Sequence, residues 1–413
     1  MRVALVTAAF PPMKAGEAEH MYHLHAQLVR REIDVRVITS REWGPSDESA
    51  RGVAAIVGAW SWRDALVLAR ALKAFRPDAV LLYYIGWIYH HHPMVTFLPT
   101  LCKRLFSSCR VATMFAYPEG SGGDQQGMGT RALRRVVSLW AGEPGGDYEF
   151  GTLLRDSDAV ILMSELHRPQ FAKHSADIDR KAVLVPPAPL LHMATGSTSL
   201  IRADIRARLG LPADAFVFAY FGFIYPAKGI ETILQAFALV RKAHPRASLL
   251  MVGGELVRPN DPRPNYGQEM RGLSHAYGCG GSVHWTGGFA TDSDEASRYL
   301  YAADAGVFGH DLGVAMNNSS FAALVAHRLP TVATYGPVLE PQLKDGDNVL
   351  LCPPKDPSAM AQAMDQLLRQ PELRERLALG ARQLADEWFS WEQGTERILR
   401  ALGSGTKEEG CSR

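Results

Sequence analysis

The chain has 413 residues, 47% hydrophobic and 21% charged, a balance that fits a soluble globular protein with two cores of roughly 150–200 residues each. Lys and Arg total 44 against 43 Asp and Glu, so there is no net field to hold nucleic acid, and Arg30, Arg31 and Arg36 read as a solvated helix end. The five cysteines (Cys102, Cys109, Cys279, Cys352 and Cys411) are scattered without a CxxC pair, which argues against a disulfide framework or a zinc site and for a reducing, cytoplasmic setting.

Val3–Thr7 reads as a first strand rather than a secretory leader, being too short and lacking a basic lead-in. Phe10-Pro11-Pro12 breaks it, and Ala18–Arg31 then carries helical spacing through Met21, Leu24, Leu28 and Val29. Val35–Ile38 is the next strand, Trp62–Phe75 a helix closed by Pro77, Ala79–Ile85 a strongly apolar strand, Val95–Phe106 a helix and Val111–Phe115 a strand. Ala159–Met163 and Ala182–Val185 complete the series. No window approaches the roughly 18 uninterrupted apolar residues of a membrane span. Met94–Arg110 mixes apolar and basic residues, which fits a packed helix or a segment lying on a membrane surface.

Pro186–Ser199, rich in proline and small residues, reads as a linker. After it the rhythm restarts, with strands at Phe216–Phe221, Ser248–Val252, Val283–Trp285, Ala305–Phe308, Thr331–Ala333 and Asn348–Leu351. Helices at Pro357–Leu368, Glu372–Trp388 and Trp391–Leu402 close the chain, and the tail is small and charged, a composition expected to be disordered. Short strands alternating with longer helices imply two α/β halves, each a parallel doubly wound sheet, with ligands at the carboxyl ends of the strands and in a cleft between the halves.

One stretch carries the most chemistry. The apolar run Phe216–Phe221 ends in Gly222, and Lys228-Gly229 opens a helix with apolar residues at Ile230, Ile233, Leu234, Phe237 and Val240. A lysine is unfavourable at a helix N-terminus unless an anion neutralises it, so a strand, a turn, a lysine and a helix start together suit a bound phosphate. A second helix start lies at Asn317-Asn318-Ser319-Ser320 before FAALVAHR, after the loop His310-Asp311-Leu312-Gly313 that follows Ala305–Phe308. One of those polar residues is expected to cap the helix, and the same tip can aim N–H groups at a diphosphate. Glu255 after Gly253-Gly254 fits a first-turn carboxylate or a ribose ligand equally well. Gly287-Gly288 fits either close backbone approach to a ligand or a plain strand exit.

In the first half, Gly16 opens the Ala18 helix, where Glu17 and Glu19 also complement the helix dipole. Trp87, Tyr89 and His90 follow one strand and Tyr117-Pro118-Glu119 another, which makes either an aromatic platform for an acceptor or ordinary core. Glu119 is the carboxylate placed to orient an acceptor hydroxyl, and GSGGD after it reads as a lid or a plain connection. His90-His91-His92 cannot all face one ion from an extended chain, and no carboxylate pair marks a metal site, so no metal or other cofactor is expected.

In order along the chain, the opening LVTAAFPPMKAGEAEHMYHLHAQLVRREIDVRVIT, then YFGFIYPAKGIETILQAFALV, LLMVGGE, VHWTGGFA and FGHDLGVAMNNSSFAALVAHRLPTVAT resemble the retaining, nucleotide-sugar-dependent glycosyltransferases of family 4, which have the GT-B fold. That resemblance implies two Rossmann-like domains facing a central cleft: an acceptor domain 1–189, a donor domain 190–388, a helix 389–404 crossing back to the first domain, and a tail 405–413. It also implies a lysine on the donor phosphates, at Lys228, and transfer of a sugar from a UDP-, GDP- or dTDP-linked donor to an acceptor, with retention and without a metal. By the same resemblance Gly16, Phe223, Lys228, Glu255, Gly287, His310, Asp311, Gly313 and Asn317 to Ser320 fall on the donor, and Glu17, Trp87, Tyr89, His90, Tyr117 and Glu119 on the acceptor. Lys228 and Glu119 would serve catalysis. The chain departs from the family where Phe223 replaces an arginine and Ala315 and Ala323 replace a pair of glutamates. Those departures favour one alternative, a catalytically impaired sugar-nucleotide-binding or partner subunit; a further alternative, a nucleotide-sugar epimerase, needs acid/base side chains near the sugar, and no convincing pair of carboxylates is found for it. The composition, rich in Ala, Arg and Gly, fits a GC-rich bacterial genome, and nothing in the sequence separates a monomer from a homodimer.

Overall fold

In the computed structural model, residues 1–43, 52–117, 136–137, 139–140, 148–212, 214–256, 262–290 and 292–403 are described. The chain forms two compact units, one made of Met1–Pro186 with Trp391–Arg413 and the other of Pro187–Ser390.

The first unit is built on strands β1 (Arg2–Val6), β2 (Asp34–Ser40), β3 (Val53–Val57), β4 (Ala79–Tyr84), β5 (Arg110–Phe115), β6 (Ala159–Leu162) and β7 (Ala182–Leu184). They pair in the order β3-β2-β1-β4-β5-β6-β7, and every pairing is parallel. A parallel sheet covered on both faces needs strands that are apolar throughout, and every residue of β4 is buried. The strand order reverses between β1 and β4, where Val3 pairs with Val35 on one side and with Ala79 on the other.

Three local features differ from the sequence reading. β3, the apolar run VAAIV, lies between the second strand and the Trp62 helix, where no strand is expected; it pairs with β2 at the edge of the sheet, and its residues are only partly buried except Val57. The helix expected over Trp62–Phe75 begins with a 3₁₀ turn at Trp62–Asp64, because the Asp64 carboxylate accepts the backbone N–H groups of Ser61 (2.9 Å) and Gly58 (3.1 Å). The helix expected over Val95–Phe106 divides into a 3₁₀ segment, Pro93–Phe97, and a helix, Leu98–Leu105, each with proline in its first turn.

The Trp391–Ala401 helix belongs to this first unit and packs on the Gly16–Arg30 helix. The Trp391 ring lies 5.4 Å from His20 and 5.5 Å from His23, and His20 stacks on Tyr83 at 5.8 Å. Arg31 donates to the Glu392 carbonyl (3.0 Å), and Arg110 donates to the Ala401 carbonyl (2.8 Å).

The second unit carries β8 (Val217–Phe221), β9 (Ser248–Val252), β10 (Val283–Gly287), β11 (Ala305–Phe308), β12 (Thr331–Thr334) and β13 (Leu350–Cys352) in the parallel order β10-β9-β8-β11-β12-β13. On one face, Ile230, Ile233, Leu234 and Phe237 of the Ile230–Ala243 helix pack with Met360 and Met364 of the Pro357–Arg369 helix. On the other, Phe321 and Leu324 of the Ser319–Ala326 helix pack with Ala381 and Leu384 of the Pro371–Trp388 helix. At the amino ends of β8 and β11 the Asp304 carboxylate accepts from Arg202 (2.5 Å), Arg206 (2.7 Å) and the Val217 N–H (2.8 Å), which ties the Thr198–Arg208 helix to the sheet. Among the described residues no helix is long and apolar enough to cross a membrane.

His20 gives a pH prediction. Both its ring nitrogens are buried without a hydrogen-bond partner, and burial, followed by the neighbouring His23, pushes its pKa down to about 3. The folded state therefore binds fewer protons than the unfolded chain between about pH 6.5 and pH 3, so the stability His20 contributes is present above pH 6.5 and is lost as pH falls through that window. The loss approaches about 1.4 kcal/mol per pH unit. Urea unfolding of the wild type and of His20→Phe at pH 7.5 and 5.0 should show a smaller acid loss in the variant. Equal losses would mean that His20 is not buried in its neutral form.

Candidate functional site

In open parallel sheets the carboxyl ends of the strands on either side of the order reversal leave a crevice for ligands. In the second unit that reversal falls between β8 and β11. The loops leaving these two strands are the Gly222–Gly229 turn and the His310–Asn318 loop, so Lys228 and His310 come from the two sides of one switch point.

Backbone contact joins the two loops. Gly229 has a left-handed φ of +67°, and a Cβ placed on it would lie 1.7 Å from the Gly309 carbonyl oxygen. Only glycine combines that conformation with that approach. The Asp311 N–H donates to the Ala227 carbonyl at 3.1 Å across the same seam. Lys228 projects over the Tyr225 ring, its ammonium 4.8 Å from the centroid.

The helix beginning at Ser319 closes the third side. A Cβ on Gly222 would sit 2.6 Å from the Ser320 hydroxyl, so this hydroxyl rests against the exit of β8. Asn318 occupies the capping position but does not cap, a correction to the sequence reading: its Oδ1 turns back to accept the Ala315 N–H at 2.7 Å, and its amide donates to the Asn317 Oδ1 at 3.5 Å. The first-turn N–H groups thus carry no side-chain cap, which leaves the positive end of the helix for another acceptor. The loop before it is held by Glu340, a buried carboxylate that accepts the Met316 N–H at 2.6 Å, and by the Val314 N–H on the Thr334 carbonyl at 2.7 Å. Gly313 (φ +81°) presses on Gly336, a Cβ there lying 2.1 Å from the Gly336 nitrogen.

His310 is the residue with unusual electrostatics. Its ring stacks on Phe308 with centroids 3.9 Å apart, Thr334 Oγ1 donates to its carbonyl at 2.6 Å, and its Nε2 is buried with no hydrogen-bond partner. Burial first, and then the Lys228 ammonium, hold its pKa well below the usual histidine range. A buried nitrogen left unsatisfied costs about 1–3 kcal/mol, which a ligand atom would recover. Its neighbour Asp311 is engaged elsewhere, paired with Lys355 at 3.4 Å.

Other expected donor residues border the Gly222–Gly229 turn, where Ile224 bridges Glu255 and the Ile224 N–H donates to the Gly254 carbonyl at 2.9 Å. The Glu255 carboxylate pairs with Arg271 at 3.0 Å, and Arg271 lies over the Trp285 ring at 4.9 Å, so Glu255 serves the Tyr266–Ala276 helix. Gly287 bridges Gly253, and a Cβ on Gly254 would lie 2.9 Å from the Gly288 Cα; the close approach there is between neighbouring strand ends. The Phe223 carbonyl accepts the Tyr220 hydroxyl at 2.9 Å.

In the first unit, Gly16 and Glu17 begin the helix that follows β1, while Trp87, Tyr89 and His90 follow β4, on the other side of that sheet's reversal. Trp87 (39% exposed), Tyr117 (47% exposed) and His90 are at the surface. Tyr89 is not: it is 1% exposed, its hydroxyl donates to the Tyr83 carbonyl at 2.7 Å, and its ring packs against Trp60 and Tyr84. The 3₁₀ turn Gly86–Tyr89 folds it back into the core, which corrects the expectation of an acceptor contact. His92 Nδ1 accepts the Met94 N–H at 3.1 Å and starts the next turn. Glu119 lies outside the described residues. Among the described residues no three His, Cys, Asp or Glu side chains cluster to hold a metal ion. A polar cavity of about 530 Å³ lined by Lys103, Arg110, Asp158 and Lys181 sits at the amino ends of β5 to β7, opposite the strand exits.

Two Rossmann-like units define the GT-B class of fold, and solved structures match it over the whole chain. A glycosyltransferase from Rickettsia africae superimposes with a TM-score of 0.70, covering 99% of both chains at 14% identity. The Anabaena protein HepE, solved in complex with UDP and glucose, gives a TM-score of 0.70 over 98% of this chain and 100% of its own, also at 14% identity. Within that class, residues 201–384 match the family Glycosyl transferases group 1, and the chain resembles the nucleotide-sugar-dependent members of family 4. A D-inositol 3-phosphate glycosyltransferase of Actinosynnema mirum is 29% identical over 259 residues, 61% of this chain and 58% of that protein. The chain thus spans a little over half the length of the curated relatives it matches.

The glycine seam yields a paired prediction. Gly229→Ala should cost about 2–3 kcal/mol or more in chemical unfolding, because the methyl meets the Gly309 carbonyl at a strained φ. Gly272→Ala, in the Tyr266–Ala276 helix with open space around its Cβ position, should be neutral or gain up to about 1 kcal/mol. Equal effects at the two positions would remove the seam as a constraint.

Proposed function

We propose that this protein is a glycosyltransferase that binds the diphosphate of a nucleotide sugar at the switch point of its second unit and passes the sugar to an acceptor with retention of anomeric configuration. The observation that carries this reading is the convergence of Lys228, the uncapped Ser319 helix start and the orphaned His310 nitrogen on one strand-end crevice. The match of residues 201–384 to group 1 glycosyltransferases supports it.

The chemistry follows from charge. When the bond between sugar and diphosphate breaks, negative charge builds on the leaving oxygen. A preorganised ammonium and a helix dipole stabilise that charge without rearranging, an effect on the order of several kcal/mol. Chemistry of this kind needs no metal to neutralise the diphosphate. The leaving phosphate takes the acceptor's proton on the same face, so retention needs no strong side-chain base. The acceptor is placed on the first unit, with Trp87, Tyr117 and Glu119 as its contacts, and the setting is cytoplasmic.

A second reading, a sugar-nucleotide-binding subunit with impaired catalysis, is favoured by Phe223, Ala315 and Ala323, which depart from the arginine and two glutamates of the family pattern that the chain resembles. In this fold Ala323 is buried, and the Ala315 N–H is taken by Asn318.

Slow hydrolysis of UDP-, GDP- and dTDP-glucose separates the two readings without requiring the acceptor. The wild type should release nucleoside diphosphate from one of them. Lys228→Ala should lower that rate about 100-fold while its thermal midpoint stays near the wild-type value. No hydrolysis, and no transfer to a panel that includes inositol 3-phosphate, would favour the binding subunit. Unchanged turnover in Lys228→Ala would overturn the site.

A further inference from the structure

We infer that His310 takes up a proton at Nε2 when the diphosphate of a nucleotide sugar seats beside Lys228, so that donor binding is linked to protonation. The inference rests on the reading of this crevice as a diphosphate site and adds to it a proton and the residue that receives it.

The geometry leaves His310 little else to do. The ring is clamped flat on Phe308, and its backbone is held by Thr334 Oγ1 and by the Gly313 N–H, which donates to the His310 carbonyl at 2.9 Å. Rotation away from the crevice would break the stack. Nε2 is buried without a partner. The charged groups around it come from three segments. Lys228, from the turn before the Ile230 helix, acts directly on the imidazole. Asp311, on its own loop, faces Lys355 from the segment after β13. β12 contributes the neutral Thr334 hydroxyl, and β11 an apolar ring. A cation presses on the imidazole, and the carboxylate nearest in sequence is paired elsewhere.

A diphosphate reverses both effects that keep the ring neutral. Its charge offsets the ammonium, and its oxygen accepts a hydrogen bond from Nε2–H, which favours the protonated ring. One proton comes from solvent, and no covalent bond changes. Loss of the sugar then adds a further negative charge to the diphosphate, so the imidazolium is held more firmly in the product complex. The ligand binds the protonated protein more tightly, so affinity falls as pH rises through the window between the free and bound pKa of His310, by up to tenfold per pH unit.

The test is calorimetric titration with UDP-, GDP- and dTDP-glucose between pH 6.0 and 8.5, in pairs of buffers with different ionisation heats. These donors are phosphodiesters without an ionisation near neutrality, so any proton taken up belongs to the protein. Uptake approaching one proton at the acid end, with affinity weakening as pH rises, is expected. His310→Gln should bind with no uptake and a flat pH profile. In the wild type, the labelled His310 imidazole resonances should move from neutral to protonated on addition of ligand, a readout that does not depend on any variant folding. Binding without proton uptake, uptake that persists in His310→Gln, or resonances that do not move would overturn the proton link and leave the diphosphate site standing. If none of the three donors binds, the site itself fails, and the proton link with it.

Discussion

The approach of Gly229 to the Gly309 carbonyl is the constraint on which the crevice depends. Two strand-end loops at a switch point ordinarily diverge, since each must turn away into its own crossover helix. Here a left-handed glycine lets the backbone of one loop lie directly on the other, and the Asp311 N–H to Ala227 bond reinforces the contact. The consequence is electrostatic. An ammonium from one loop faces an imidazole from the other, and burial of that imidazole first, then the ammonium, suppresses its protonation.

Around this seam the carboxylates are turned to partners of their own. Glu231, in the first turn of the Ile230 helix, is held by Arg263 at 3.0 Å and by the Tyr266 hydroxyl at 2.5 Å. Glu255 goes to Arg271, Asp311 to Lys355, and Glu340 to the Met316 N–H. Each pairing steadies a segment that borders the crevice, and together they direct negative charge towards neighbouring helices and loops. The two helix starts therefore keep their positive character toward the strand ends. An anionic ligand suits such a place better than a neutral one, because its charge is met by groups already oriented.

The parts of this arrangement that were legible in the sequence are those encoded within about a dozen residues. The β8 run, the Lys228-Gly229 turn and the apolar positions of the Ile230 helix are contiguous, and their periodicity announces a strand, a turn and a buried helical face. The same holds for β11 and the helix that follows Met316–Ser320. What could not be read there is set by partners distant in the chain. Glu340 reaches Met316 from 24 residues away, and nothing in VLEPQ marks it as a buried carboxylate. Asn318 looks like a cap by type, yet the Ala315 N–H competes for its side chain and wins. Tyr89 resembles a surface platform residue until a 3₁₀ turn returns it to the core. β3 is a wholly apolar run, VAAIV, whose place at the sheet edge is set by pairing with β2 rather than by an alternating pattern of its own.

The departures from related sequences take on a different meaning in this setting. A glutamate at position 315 would place a carboxylate on the loop that leads into the Ser319 helix, and one at 323 would add a second within that helix. With alanine at both, the loop is instead braced by a carboxylate from the β12 exit, which acts on the backbone, and by an asparagine that turns inward. No carboxylate is therefore offered to a ligand at these two positions, whereas the Lys228 turn and the uncapped Ser319 helix start do not depend on them. A crevice built in this way suits an anionic ligand, met chiefly by charge.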